Sequence, residues 1–431
     1  MTVTRTPYSL RLNFLWALAG NGFAAFCMWL LTVILTKLGR PEDVGLYAVA
    51  SAIGLPVSIL FSLKLQLVQI TDARREYQFG HYMALRLLTT ALVALVTAVI
   101  GFLFYPPPTA RVIAVFGAGY GLMAYREIYI AVMQKSERMD KAAVSRFLQN
   151  ILVVLFFWAL FYRARNLTAA ALGMIAARLL SFVFYDIPVC RKLLHTGSAE
   201  QEPEPTGLRP RWEWKKLLHL AFTALPLGLV GWLGTLFTSI PRLVMDAVLG
   251  KEQLGYFAAV SSLLVVGNLF ISAVGQSVTP RLSRYFVENH RAYRILVIKL
   301  LAVLGLLGIS GIFVSVFFGR WILTCLFTAE YAAYTDLLVW VMAAAMVLFV
   351  FSGLNIALTA TRRFVSQIPI CAAAAAVTAV VSFWAIPRYG ILAGAWSQMA
   401  CYITGSIVCA IYLLFVYQKR MQTEQLSKED F

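Results

Sequence analysis

Residues 38–53 read LGRPEDVGLYAVASAI, and residues 249–263 read LGKEQLGYFAAVSSL. With Pro41 left out the two align: Leu, Gly, Glu, Gly, Ala and Ser repeat, Arg40 is answered by Lys251 and Tyr47 by Phe257. Each copy has the chemistry of a tight turn between two helices. Gly39 and Gly250 are expected to end a helix in a left-handed backbone conformation, Pro41 cannot extend that helix, and Glu42 or Glu252 suits the start of the next. The aromatics that follow, Tyr47 in one copy and Tyr256-Phe257 in the other, are expected near a membrane interface, where a polar edge stays wet. One such turn is commonplace; two at matched places mark an internal duplication.

The sequence around both turns is membrane-like. Of 431 residues, 60% are hydrophobic and 13% charged, with a mean hydropathy of +0.76, whereas a soluble domain is roughly a quarter charged. Apolar stretches recur at about twenty residues, the length a helix needs to cross about 30 Å of hydrocarbon. Twelve are expected, near 12–36, 44–69, 82–105, 110–133, 143–162, 167–189, 218–241, 253–277, 293–318, 334–358, 365–386 and 389–417. A β-barrel would instead give weak alternation. The first segment lacks a small-residue cleavage site and reads as a retained helix.

The stretch at 190–216, CRKLLHTGSAEQEPEPTGLRPRWEWKK, mixes charge, Pro and Gly without an apolar run and reads as a linker. It divides the expected helices six and six: a bundle over 1–195, a cytoplasmic linker over 196–214 and a second bundle over 215–431. The doubled turn falls between the first and second helix of each half. Because six is even, the two halves run parallel, related by an axis along the membrane normal. A weaker echo sets IAVMQKSERM (130–139) against IALTATRRFV (356–365).

The net charge of +17 has an address. Arg74-Arg75, Lys135/Arg138/Lys141/Arg146, Arg209/Arg211/Lys215/Lys216 and Arg281/Arg284/Arg291/Arg294 all fall on one side, which the positive-inside rule makes cytoplasmic, together with both termini. The basic excess belongs to topology and anionic headgroups of the lipid bilayer, and no nucleic-acid partner is expected. Six cysteines (27, 190, 325, 371, 401, 409) lack paired spacing and read as packing residues.

Six cations lie within the apolar segments: Lys64, Arg86, Arg126, Arg178, Arg242 and Lys299. A charge at the bilayer centre costs roughly 2.5–3.5 kcal/mol on insertion scales, so such residues usually face a cavity or a partner. Arg86 and Lys64 lie about one turn from a helix end, where snorkelling to the headgroups accounts for them equally well. Arg242 and Asp246, four apart, have the spacing of a helical ion pair. Arg126, Arg178 and Lys299 sit deeper and point to a cavity. Such a cavity attracts an anion, phosphate above all, for which Arg offers a fork and Lys a point charge. Glu127 and Asp186 read as charge balance for the arginines or as ion-coupling groups. Asn21, Gln149, Asn150, Asn268, Gln276 and Asn355 either line the same space or bond between helices.

The chain has no GxxxxGK[ST] phosphate loop, no HExxH and no GxSxG elbow, and no metal or cofactor site is expected. The short outward loops leave no room for a catalytic domain, so transport, without covalent chemistry, is the expected class.

Three stretches carry a family resemblance: LGRPEDVGLYAVASA (38–52), SLKLQLVQITDARREYQFGHY (62–82) and AYREIYIAVMQKSERM (124–139). With the whole-chain hydrophobic pattern, they make the chain resemble the bacterial oligosaccharide (O-antigen and capsule, Wzx-type) flippases, in the superfamily of multidrug and toxin extrusion transporters and lipid II flippases. The resemblance implies an all-α polytopic fold, twelve transmembrane helices in two six-helix bundles around a central cavity. It also implies passage of an undecaprenyl-diphosphate-linked glycan from the inner to the outer leaflet of the bacterial cytoplasmic membrane by alternating access. Other polysaccharide-assembly membrane proteins would be partners. Substrate contacts would come from Arg126, Arg178, Lys299, Lys64, Arg86 and Arg242. With the cell interior negative, each negative charge carried outward gains about 2.3 kcal/mol per 100 mV, so the membrane potential, or an ion gradient, would drive the cycle. The alternatives are a multidrug cation antiporter, which would want carboxylates dominating its cavity, and a membrane-embedded glycosyltransferase, polymerase or ligase, which would want an outward catalytic acid or base. The two absent C-terminal helices count against a lipid II flippase.

Overall fold

A computed structural model describes residues 10–72, 76–196, 209–361 and 367–429. Arg74 and Arg75, and most of the expected linker, lie outside the described residues. In chain order the helices are α1 (Leu10–Leu38), α2 (Pro41–Ser62), α3 (Leu65–Thr71), α4 (Phe79–Phe104), α5 (Pro107–Lys135), α6 (Met139–Ala164) and α7 (Leu167–Ser181). A π-helical turn, Phe182–Asp186, leads into α8 (Ile187–Thr196). Then come α9 (Trp214–Ser262), α10 (Leu264–Glu288), α11 (His290–Leu326), a 3-10 turn (Ala329–Tyr334), α12 (Thr335–Ala360), α13 (Gln367–Tyr389) and α14 (Leu392–Glu429). No strand occurs among the described residues.

Among the described residues, ten stretches are long and apolar enough to cross a membrane. One of them, Trp214–Thr279, has 66 residues; as a single straight helix it would run about 100 Å. It bends at Gly250, where φ is 84° and ψ 175°, and so covers two of the expected segments. The expected segment 110–133 forms α5 but is not among the ten. The reason is its place: α5 packs against α2, α3, α4, α6, α7 and α8, and more than half its residues are buried. A helix walled by protein needs little lipid-facing apolar surface. The outer helices behave oppositely, with Phe104 75% and Phe184 73% exposed, positions that hydrocarbon makes favourable. This is an all-α polytopic membrane protein.

The chain divides into two compact units, Met1–Thr235 and Leu236–Phe431. In the first, α5 is the hub, paired most closely with α4. Gly117 permits that approach, because a Cβ there would stand 1.8 Å from Thr97 Oγ1. In the second, α12 is the hub, packed on α10, α11 and α14. The fourth expected helix of one half and the fourth of the other thus take the same central role.

The two turns differ beneath their shared sequence. Gly250 has the positive φ, with nothing near the position a Cβ would take. Gly39 does not. It is needed for close approach, since a Cβ would meet the Leu35 carbonyl and the Phe161 ring at 2.9 Å. Asp43, rather than Glu42, caps α2, accepting from the Arg40 N–H at 2.9 Å. The aromatics pack against protein: Phe257 is fully buried and Tyr256 stacks on Tyr334 at 4.2 Å, while Tyr47 meets Phe116 edge-on.

Candidate functional site

The second span does not run straight. After Ser62 the backbone turns left-handed at Leu63 and Lys64, both at φ 51°, and restarts as α3. Neither residue is glycine, and a broken helix frees carbonyls that hydrocarbon cannot satisfy. Arg86 of α4 answers: its Nη1 donates to the Ser62 carbonyl at 2.8 Å, and its Nη2 donates to Glu127 of α5 at 3.1 Å. Arg86 is completely buried, so it does not snorkel. The early part of α9 closes over the break with small residues. A Cβ on Gly228 would meet Leu63 at 3.0 Å, and one on Gly231 would stand 2.8 Å from Lys64 Cε.

The break opens a cavity of ≈ 390 Å³ in the first unit. Ser58, Ser62, Lys64, Gln66, Tyr120 and Glu127 supply its polar lining, with Leu55, Ile59 and Met123 among the apolar residues. Lys64 is exposed and Glu127 one-third exposed. An exposed ammonium and a carboxylate tethered to a buried guanidinium thus share one cleft. Gln66 donates to Gln134 at 2.9 Å, fixing α3 against the end of α5.

A second polar cluster lies deeper. Arg126 pairs with Asp186, and Ser145 of α6 accepts from Arg126 while donating to Asp186 at 2.6 Å. Arg126 also donates to the Ser145 carbonyl at 3.0 Å. Asp186 closes the π-helical turn, a helix irregularity frequent at functional sites. Arg178, 4% exposed, has a different setting: its Nη1 donates to the Gly119 carbonyl at 2.7 Å, and its Nε has no partner among the described residues. No carboxylate within salt-bridge reach of it is found among those residues.

The structure therefore brings together Lys64, Arg86 and Glu127, and separately Arg126 and Asp186. Arg178 reaches the backbone next to Tyr120, a residue of the cleft. Arg242 and Lys299 belong to the second unit. Arg242 is half-buried one helical turn before Asp246 and near Tyr402; Lys299 is exposed on α11. Among the polar residues singled out in the sequence, Asn21 accepts from Arg146 at 2.6 Å and Asn150 donates to the Arg146 carbonyl. Sequence reasoning missed Ser145, Tyr120 and the break itself. Nothing in SLKLQ, which has no Gly or Pro, announces a break.

Comparison with known proteins speaks to the family and the fold. Residues 10–286 match the family described as "Polysaccharide biosynthesis protein". The chain is 26% identical over 415 residues to the capsular polysaccharide biosynthesis protein CapF of Staphylococcus aureus, covering 95% of this chain and 99% of that one. Among solved structures, the lipid II flippase MurJ in an inward closed conformation superposes with a TM-score of 0.68 at 11% identity, over 93% of this chain and 87% of its own. A transporter of the MOP superfamily from Pyrococcus furiosus superposes with a TM-score of 0.60 at 12% identity, over 96% and 95%. At such identities the two structures speak for the fold.

Proposed function

Since the chain belongs to the polysaccharide biosynthesis protein family, we propose that it is a flippase that moves a lipid-linked oligosaccharide across the membrane for cell-surface polysaccharide assembly. The substrate is a polyprenyl-diphosphate-linked glycan carried from the cytoplasmic to the outer leaflet of the bacterial inner membrane, with both termini of the chain cytoplasmic. Its covalent structure is unchanged, so the protein acts as a carrier and not an enzyme. The observation that carries this reading is the cleft at the α2–α3 break, where Lys64 stands at the rim with Arg86 behind it.

The diphosphate meets Lys64 first, and Arg86 holds the break open while its charge is balanced by Glu127. Arg178 supplies a second cation, one without a carboxylate of its own among the described residues. Arg126, which the sequence offered as a substrate contact, is committed to Asp186 and Ser145, so we assign it to holding α5, α6 and the π-helical turn in register. Arg242 and Lys299 enter as proposed contacts from the second unit. Glu127 and Asp186 serve as charge balance. The chain's fold likeness extends to transporters that carry other cargo, but a cation carrier needs free carboxylates, and Glu127 and Asp186 are each engaged by an arginine.

Reconstitution in liposomes tests this. A fluorescent undecaprenyl-diphosphate oligosaccharide placed in one leaflet is expected to reach the other, chemically intact, only when the protein is present, and faster when a membrane potential favours the outward movement of negative charge. Failure to move any such lipid, with the protein folded and inserted, would overturn the reading.

A further inference from the structure

The second unit holds a cleft of different chemistry. A cavity of ≈ 720 Å³ lies among α10, α12 and the first residue of α13. Helix α10 presents Ser272, Gln276 and Thr279 to it, and α12 presents Ser352, Asn355 and Thr359. Both sets follow the three-or-four spacing of one helix face, a polar stripe on an otherwise apolar helix. Gln367 closes one end, donating to Thr359 at 2.9 Å.

Two stripes of this kind, facing each other in a membrane protein, normally bond across the helix interface. These do not: among the described residues no hydrogen bond joins the α10 stripe to the α12 stripe. Gln276 donates to Ser272 on its own helix at 3.2 Å, and Thr279 donates to the Gly275 carbonyl at 2.6 Å. The helices meet where Gly275 lies against Ile356, within 3.0 Å of where a Cβ would sit. The amide of Asn355 and the carbonyl of Gln276 are left facing the space.

The described lining is rich in donors and acceptors, and none of those described residues is charged. That suits a neutral ligand dense in hydroxyl and acetamido groups and, among the described residues, offers a phosphate no cation. The volume falls within the ordinary range for ligand pockets, about 300–1,000 Å³. The first unit's cleft, with Lys64 and Glu127, has the opposite character.

We propose that the cleft between α10 and α12 is a carbohydrate-binding site that receives neutral sugar residues of the substrate glycan. This rests on the reading of the chain as a carrier of lipid-linked oligosaccharide. Each unit taken by itself thus offers its own chemistry, charge in the first cleft and hydrogen-bonding groups in the second. A site built to hydrogen-bond hydroxyls also discriminates among sugars, because a missing hydroxyl leaves its partner unpaired.

The test compares two lipids, undecaprenyl diphosphate and the same lipid bearing a neutral trisaccharide, for binding to the purified full-length protein in nanodiscs. The wild type is expected to bind the glycosylated lipid more tightly. Gln276→Leu and Asn355→Leu are each expected to erase about five- to tenfold of that advantage, one net hydrogen bond or slightly more, while affinity for the bare lipid stays unchanged. Gln276 is exposed, so its substitution leaves the packing intact, and bare-lipid binding certifies the fold of Asn355→Leu. Full retention of the sugar-dependent advantage in both variants would overturn the site and leave the carrier reading standing. Binding of neither lipid by the wild type would overturn the carrier reading, and the site with it.

Discussion

Arg126 on α5 and Asp186 at the end of the π-helical turn form an ion pair whose side chains are 3% and 0% exposed. Removing one partner of a buried pair leaves the other uncompensated, at a cost of about 3–5 kcal/mol, whereas replacing both with apolar residues is often neutral. Arg126→Met is therefore expected to lower the unfolding temperature in detergent sharply, and Asp186→Leu likewise. The double variant is expected to recover most of the loss. A double variant as unstable as the worse single one would mean that the pair does not act as a unit.

Helices α4 and α5 pack tightly at Gly117. Because a Cβ there would lie 1.8 Å from Thr97 Oγ1, Gly117→Ala is expected to force the two helices apart and to cost about 1–3 kcal/mol as overpacking. Thr97 is buried and bonds only to carbonyls of its own helix, so adding Thr97→Ala is expected to restore much of the stability. Thermal unfolding of the single and double variants checks this, and absence of rescue would place the strain elsewhere.

These two predictions also mark what was legible in the sequence. The membrane class and the repeat could be read because they rest on hydropathy and on two explicit turns, LGRPEDVG and LGKEQLG. The candidate cations could be found because an intramembrane charge is conspicuous against leucine and alanine. The carboxylates that balance them, Glu127 and Asp186, could be found as well, but not which one answers which arginine. Asp186 lies 60 residues from Arg126, and Ser145 is one hydroxyl among many. The roles of Gly39 and Gly250 diverged because a shared turn sequence does not say whether a glycine is needed for its φ or for its missing side chain. The break at Leu63-Lys64 has no local signal and is held from outside, by Arg86.

The end of the linker is clasped to the first unit by groups that titrate. Arg211 N–H donates to the Gly80 carbonyl at 2.9 Å, and Glu213 stands 2.8 Å from Lys216 and 3.2 Å from His81 Nε2. Lys216, then His81, holds the Glu213 carboxyl below its ordinary range. A depressed carboxyl pKa stabilises the clasp at pH values above the ordinary carboxylate pKa of about 4.3, and that contribution is lost as pH falls through the lower, folded value. The hydrogen-exchange protection factor of the Arg211 amide is thus expected to hold from neutral pH down to about 5 and to fall below the ordinary carboxylate pKa. In Glu213→Gln it is expected to be lower at neutral pH and to lack that acid step. An unchanged profile in the variant would remove Glu213 from the clasp.

Arg178 offers the most direct test of the cationic half of the site. It is buried, its one hydrogen bond runs to the Gly119 carbonyl, and its Nε is unmatched among the described residues. A buried cation in this state is costly unless an anion arrives to share it. Arg178→Ala therefore removes a burden from the empty protein and a contact from the loaded one. The variant is expected to insert and unfold at a temperature no lower than the wild type, while its affinity for undecaprenyl diphosphate falls roughly ten- to a hundredfold, the worth of a charge-assisted hydrogen bond. Arg178→Lys keeps the charge but loses the fork, and is expected to fall between the two. Wild-type affinity and flipping in Arg178→Ala would exclude a substrate contact, and a large loss of stability would make Arg178 a structural clamp on Gly119 instead.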